Sequence, residues 1–308
     1  MSVRTYLDKD FFHRLAQESD ESIRDLIVGR FAGYQYSLYV SAELVEEMIG
    51  LLETQRSERL RDEATLLLRM MHHRMFRYYG DLVIEELRTG AATPFADAGT
   101  VRRLLDALKA LAEGREVSSL VAIPQQVRER KQRDRDELNR SRDNFLKDLK
   151  QQLNLDRPPP MTFAQYRERY WAKWIGTLLR HIAERDNIES AESRIAEIVV
   201  GTTKYPYTNA AMRIHMAVLY RSHMLGRKVG DMYDAQQAVL LVGMDLLVTD
   251  DGGMKELCEL VYGPSLNILD YGSFVEEQKQ GTVAQNETLR ALHPGLHRQI
   301  GQGKPETS

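Results

Sequence analysis

Acidic side chains recur at the ends of the predicted strands of this 308-residue chain. Asp8 directly follows a short β-rich run, and Asp250 and Asp251 end the apolar run "MDLLVTDD". Glu47 lies in a helical stretch after a second strand, and Asp234 opens a late helix. Carboxylates that are crowded together repel one another unless a cation neutralises them. Mg²⁺ or Mn²⁺ prefers such oxygen ligands and can present a water molecule as a nucleophile towards a phosphate.

Short runs rich in β-branched and aromatic residues predict the strands that position these carboxylates. Residues 3–7 and 36–41 predict two strands, and Ser19 or Asp20 can cap the helix between them. This order of elements is typical of a parallel α/β sheet. Strand character returns late, in "MDLLVTDD" and "ILDYGSF". Because such sheets carry their sites at the carboxyl ends of the strands, the acidic residues are expected to lie together.

The middle of the chain has a helical pattern. Residues 51–204 predict an all-helical insertion that includes a long, densely charged helix from about 122 to 153, which "RPPP" ends. Two half-sheets need each other to form a core, so residues 1–50 and 205–280 are predicted to form one α/β domain. Residues 281–308 are polar and rich in helix breakers, which predicts a loose C-terminal tail.

Composition limits the class of protein. The chain is 43% hydrophobic, enough for a substantial core, and its formal net charge of −3 gives no strongly basic field for nucleic acid as a whole. The single cysteine, Cys258, cannot form an internal disulfide. The sequence shows neither a signal peptide nor an apolar run long enough for a membrane span. These features predict a cytoplasmic protein that does not bind membranes.

The motifs "YLDKDFF", "YVSAELVEEM" and "DMYDAQQAVLLVGMDLLVTDDGGMKEL", in this order, resemble those of the PIN-domain nucleases. The resemblance covers roughly residues 1–50 and 205–280 and implies a PIN-like, three-layer fold around a parallel sheet. In that family an Asp ends the first strand, a Glu follows a Ser and an apolar helix start, an Asp opens a late helix, and an Asp or Asn closes a late strand. The matching positions here are Asp8, Glu47, Asp234 and Asp251.

The resemblance implies an endoribonuclease that uses Mg²⁺ or Mn²⁺ to hydrolyse phosphodiester bonds in single-stranded or structured RNA. Asp8, Asp234 and Asp251 are the expected metal ligands. For each of them, capping of a neighbouring helix is the alternative role. Glu47 is preferred to Glu43 and Glu46 as the fourth carboxylate because it lies six residues after Ser41 and precedes an apolar residue.

Neighbouring polar residues could assist this site. Asp10, Thr249 and Asp250 could orient the ligands through hydrogen bonds, and Asp231 is an alternative helix cap or ligand. Lys9 stands where the family usually has Thr or Ser. Its ammonium group could compete with the metal or contact a phosphate.

The charged helix could supply an RNA-binding surface. If Arg128, Lys131, Arg135 and Arg142 share one face, they could contact phosphates; the alternative is a solvated face of interleaved charges. The helical insertion as a whole could select the substrate or bind a protein partner or inhibitor.

Two other functions are compatible with the sequence. One is a catalytically inactive PIN-like scaffold or RNA-binding module. The other is a haloacid-dehalogenase-like phosphatase, since Asp8-Lys9-Asp10 fits an Asp-x-Asp signature in which Asp8 is the nucleophile and Asp10 the general acid. That family expects Thr or Val where this chain has Phe12.

Overall fold

The computed structural model describes residues 2–50, 57–115, 122–226 and 232–292. The strands are β1 (Val3–Leu7), β2 (Tyr36–Ser41), β3 (Met71–Phe76), β4 (Leu246–Val248) and β5 (Asn267–Leu269). The helices are α1 (Lys9–Gln17), α2 (Glu21–Ala32), α3 (Ala42–Gly50), α4 (Ser57–Met70), α5 (Tyr79–Thr89), α6 (Ala98–Ala112), α7 (Ala122–Leu153), α8 (Phe163–Arg185), α9 (Ala191–Val199), α10 (Pro206–His223), α11 (Met232–Val239), α12 (Gly252–Tyr262) and α13 (Tyr271–Leu292).

The five strands form one parallel sheet in the order β3-β2-β1-β4-β5. From β1 the chain first builds the sheet outwards through β2 and β3, and then returns to the other side of β1 to add β4 and β5. The order of the strands therefore reverses between β1 and β4. In open α/β sheets the crevice at such a reversal, beyond the carboxyl ends of the strands, is the usual ligand site.

Alternation along the strands buries side chains on both faces of the sheet. Leu7 and Val248 pack with residues of α1, α2, α4, α6 and α13 on one face. Tyr6 and Leu247, each one residue earlier, pack with residues of α5 and α8 to α12 on the other. The expected α/β class with a parallel sheet between helices is therefore confirmed.

Strand β3 corrects the description of residues 51–204 as all-helical. It pairs in parallel with β2, and α4 is the helix that connects the two strands. Its sequence, "MHHRMF", lacks β-branched residues, so the local pattern gives little strand signal. The predicted charged helix is confirmed as α7, but the neighbouring helices share the core of the sheet.

Helix α13 corrects the prediction of a loose tail for residues 281–308. The helix continues through residues 281–292, and residues 293–308 lie outside the described part of the chain. Phe274 anchors the first turns of this helix. The centroid of its ring lies 5.7 Å from that of Phe11 and 5.6 Å from that of Tyr36. Across the described ranges, no helix is both long and apolar enough to span a membrane.

Phe274→Ala should lower the free energy of unfolding by about 3–5 kcal/mol, because it removes a fully buried ring from this cluster. Val200→Ala is the control, since Val200 is 83% exposed and its truncation should change stability by no more than about 0.5 kcal/mol. Urea unfolding measures both variants. A Phe274→Ala variant as stable as the wild type would show that α13 is not part of the core.

Candidate functional site

Two of the predicted acidic residues meet where the strand order reverses. Leu7 in β1 pairs with Val248 in β4, so the next residues, Asp8 and Thr249, emerge side by side at the carboxyl edge of the sheet. Asp251 follows two residues after Thr249. The structure thus brings the end of β1 and the "VTDD" segment together, as the sequence predicts.

Asp8 is a buried carboxylate with two hydrogen-bond donors. It caps α1 by accepting from the backbone N–H of Phe11 at 2.9 Å, and its other oxygen accepts from the hydroxyl of Thr249. Only 6% of Asp8 is exposed, and burial raises its pKa to about 7 even though both hydrogen bonds act to lower it. Asp8 is therefore a helix cap whose buried carboxyl has a raised pKa.

Thr249 links Asp8 to Asp251. Its hydroxyl donates to Asp8 and accepts from the backbone N–H of Asp251 at 3.0 Å. Asp251 is half-buried and caps α12 by accepting from the backbone N–H of Met254 at 2.6 Å. The threonine hydroxyl therefore bridges the carboxylate of Asp8 and the backbone of Asp251.

Arg221 of α10, which the sequence analysis missed, packs against the first turn of α12. Its guanidinium donates to the carbonyl oxygen of Gly253 at 3.0 Å and forms an ion pair with Glu256 at 3.3 Å. A Cβ atom on Gly253 would lie 2.9 Å from Asp251 Oδ1 and 3.5 Å from Arg221 Nη2. The glycine thus allows a buried cation and Asp251 to approach the same turn.

Asp250 faces a different part of the structure. It forms an ion pair with Arg14 at 2.8 Å and accepts from the backbone N–H of Tyr271 at 3.4 Å. These contacts tie α1 and α13 to the end of β4. Its negative charge also acts to raise the pKa of Asp8, but this effect is smaller than those of burial and of the two hydrogen bonds.

Lys9 lies among the other acidic residues of the site. Its ammonium is 3.3 Å from Glu47 Oε1. Burial acts to lower the pKa of Lys9, but the charges of Glu47, Asp10 and Asp234 outweigh burial and raise that pKa above its usual value. The carboxylates on α1, α3 and α11 therefore surround a lysine.

Glu47 makes more polar contacts with the site than its neighbours on α3. It is 6% exposed, and it also meets Lys131 at 3.7 Å and accepts from the side-chain amide of Gln237 at 3.0 Å. Glu43 accepts from the backbone N–H of Tyr79, and burial raises its pKa to about 8. Of these two carboxylates, Glu47 is therefore the one that contacts Lys9.

A directed chain of hydrogen bonds holds Glu47 in place. The amide of Gln237 donates to Glu47, so its oxygen must accept from the hydroxyl of Tyr6, at 2.9 Å. Tyr6 has one hydroxyl proton, and Ser41 Oγ, 2.9 Å away, therefore donates to Tyr6. Tyr6 and Gln237 are 231 residues apart in the sequence, so no local pattern reveals the pair, and the sequence analysis did not identify them.

Basic side chains of α7 extend from this site. Helical geometry places residues 128, 131, 135 and 142 on one face of α7. Lys131 contacts Glu47, Arg135 is exposed, and Arg142 lies within 3.5 Å of where a Cβ atom on Gly226 would stand. The side chain of Arg128 lies outside the described residues. Of this set, Lys131 therefore contacts a carboxylate of the site.

The expected metal ligands suit Mg²⁺ or Mn²⁺ in the chemistry of their donor atoms. Asp8, Asp234 and Asp251 offer hard carboxylate oxygens, and a cation would offset the burial of Asp8. In the part of the chain that the structure describes, no three His, Cys, Asp or Glu side chains form a ready metal-binding group. Lys9 places a positive charge among the acidic residues of the site, and Asp231 lies outside the described residues.

Asp8→Asn should reduce the pH dependence of stability between about pH 5 and pH 7. The native carboxyl has a pKa raised to about 7, mainly by burial, whereas an unfolded aspartate titrates near about 3.9. The native state therefore binds more protons, and the free energy of unfolding falls as pH rises, by at most about 1.4 kcal/mol per pH unit. Urea unfolding in EDTA should show this contribution in the wild type and not in the variant.

Asp245→Asn is the matched control for this experiment. Arg4 lowers the pKa of Asp245 through a hydrogen bond at the opposite end of β4, so Asp245 does not titrate between about pH 5 and pH 7. This substitution should therefore leave the pH dependence of stability in that range unchanged. Glu43, whose pKa burial raises to about 8, contributes a similar slope in every variant. An Asp8→Asn variant with the full wild-type slope would contradict a protonated Asp8.

Comparisons with known proteins identify no relative of this chain. No protein-family model matches it, no curated protein matches it, and no solved structure matches it. The likeness to PIN-domain nucleases therefore rests on the residues and motifs of the sequence. An assignment of function therefore depends on the parallel sheet and on the geometry at its carboxyl edge.

Proposed function

We propose that the protein is a metal-dependent endoribonuclease that hydrolyses phosphodiester bonds at this carboxylate site. One observation carries the proposal. Thr249 links Asp8 and Asp251 at the carboxyl ends of two adjacent parallel strands, at the point where the strand order reverses. Ligand sites of open parallel sheets lie at this position, and paired carboxylates there suit a phosphodiester reaction that uses a divalent cation.

Each side chain of the site would have a distinct role. Asp8, Asp234 and Asp251 would hold Mg²⁺ or Mn²⁺, which when bound polarises a phosphate and lowers the pKa of a water molecule. Thr249 orients one oxygen of Asp8 by donating to it. Gln237 holds Glu47, the fourth carboxylate, in the orientation that faces Lys9.

The basic face of α7 favours a polyanionic substrate. Lys131 lies beside Glu47, and Arg135 continues the same face into solvent. Basic side chains in such a line neutralise successive phosphates of a nucleic-acid strand. RNA in the cytoplasm is the substrate that we propose.

A second candidate function is an RNA-binding module without catalysis. The observation that favours it is the ion pair of 3.3 Å between Lys9 and Glu47, because an ammonium among the carboxylates can replace the charge of a metal. In that case the site would be a stable, metal-free network. Metal affinity separates the two functions.

Purified protein with Mn²⁺ should cleave single-stranded RNA internally and leave 3′-hydroxyl and 5′-phosphate ends. Asp8→Asn and Asp251→Asn should each slow cleavage by roughly 100-fold or more, because each removes a charged ligand worth several kcal/mol in the transition state. Asparagine still caps a helix, so α1 and α12 should remain folded. Labelled RNA separated on a sequencing gel measures the rate and the ends.

Asp245→Asn, at the opposite end of the sheet, should cleave at the wild-type rate. Wild-type cleavage rates in both site variants would contradict the assignment of the site. Release of phosphate from an aryl phosphate, through an aspartyl-phosphate, would instead favour the phosphatase.

Lys9→Met should strengthen Mn²⁺ binding by about tenfold, since it removes a competing ammonium but keeps most of the aliphatic stem. Isothermal titration calorimetry measures the affinity. Lys204→Met is the control, because Lys204 pairs with Glu197 on an exposed surface and should leave Mn²⁺ affinity unchanged.

If Lys9 contacts a phosphate instead, the variant would keep its Mn²⁺ affinity and show a higher KM for RNA. Absence of Mn²⁺ binding in both the wild type and Lys9→Met would contradict the nuclease and favour the metal-free module.

A further inference from the structure

A cavity of about 610 Å³ lies between α5, α7, α8, α10 and α11. It is separate from the carboxylate site, and α11 contributes Ala235, Gln236 and Val239 to its wall. Binding pockets for small molecules commonly have volumes of roughly 300–1,000 Å³ and mostly apolar walls with a few polar groups. The cavity therefore has the size of a small-molecule site.

Aliphatic side chains form most of the wall. Leu138, Val218 and Val239 are buried around the cavity, and Ile84 and Leu178 are half-buried beside it. Apolar walls suit the faces of a ring that has little charge. A strongly charged group would lose its hydration there without compensation.

The polar side chains of the wall include an amide and an imidazole. Gln236 is 8% exposed and His215 is half-buried, and neither forms a hydrogen bond to another described residue. Burial lowers the pKa of His215 to about 4, so its ring is neutral near pH 7 and offers one donor and one acceptor. The amide of Gln236 likewise offers both donors and an acceptor.

Both side chains line the cavity without a hydrogen bond to another described residue, so their donors and acceptors are available to a ligand with matching groups. An aliphatic lipid chain would leave both of them unsatisfied. A planar heterocycle that carries donors and acceptors on its edge would satisfy them.

The remaining polar residues around the cavity limit the charge of that ligand. Asp134 and Glu137 on α7 are both in the lining. Arg185 on α8 also lines the cavity and pairs with Asp186 at 2.7 Å, so carboxylates outnumber the arginine among the lining residues. Carboxylates accept hydrogen bonds from sugar hydroxyls and repel phosphates.

We infer that this cavity binds a neutral nucleoside, with the base between the aliphatic walls and against Gln236 and His215, and the ribose towards Asp134 and Glu137. The base and ribose could come from a free nucleoside or from a nucleotide within an RNA strand. The two carboxylates favour the free nucleoside. This inference does not depend on the carboxylate site or on the cleavage of RNA.

The test titrates the full-length protein with adenosine, guanosine, cytidine and uridine. The methyl group of Met212, which lines the cavity, reports binding by NMR after its resonance is assigned with Met212→Leu. At least one nucleoside should shift this resonance in a saturable way. Gln236→Leu should weaken that binding by at least about tenfold, because the base edge loses its partner.

Gln132→Leu is the matched control, since it makes the same change at an exposed position of α7 outside the cavity. It should bind the nucleoside as the wild type does. If circular dichroism shows that Gln236→Leu is unfolded, His215→Phe takes its place with the same expected loss.

Three results would overturn the inference. The first is a Met212 resonance that none of the four nucleosides shifts, and the second is equal affinity in the wild type and a folded cavity variant. The third is tighter binding of the 5′-monophosphate or of a short oligoribonucleotide than of the nucleoside, because Asp134 and Glu137 should repel phosphate.

Discussion

The hydrogen bond from Thr249 to Asp8 depends on the parallel pairing of β1 with β4, and the rest of the site depends on both. The pairing brings together two strands that are far apart in sequence and ends them at the same edge. Asp8 is thereby buried, and its carboxylate loses hydration, which favours the neutral form. The hydroxyl of Thr249 and the N–H of Phe11 offset part of this cost. A buried carboxylate at this edge is thus a consequence of the strand order.

Charge balance explains the arrangement around Glu47. A buried carboxylate without partners would cost several kcal/mol, and two ammonium groups and one amide surround this one. These partners come from three different elements: Lys9 from α1, Lys131 from α7 and Gln237 from α11. The ion pairs therefore join the start of the sheet to helices that follow much later in the chain. A change in any one partner alters the charge that the others face.

The sequence predicted the parts of the fold that depend on local pattern. Asp8 and Asp251 each follow a run of strand residues. Sites of open parallel sheets lie at the carboxyl ends of the strands, so the pattern was enough to predict that these two segments lie at the same edge. Strand β3 was missed because its pairing with β2, rather than its composition, makes it a strand. Arg221 and Gln237 were missed because their partners are distant in sequence, and a lone Arg or Gln on a helix has no distinctive spacing. The helix at residues 281–292 was missed because polar residues with few apolar anchors resemble a loose tail.

Helix α11 connects the two polar regions of the molecule through adjacent residues. Successive residues of a helix point about 100° apart, so Gln236 can line the cavity while Gln237 bonds to Tyr6 and Glu47. The two hydrogen bonds of Gln237 require a particular rotation of this short helix about its axis. The cavity and the carboxylates are therefore linked by the geometry of one helix, although they share no side chain.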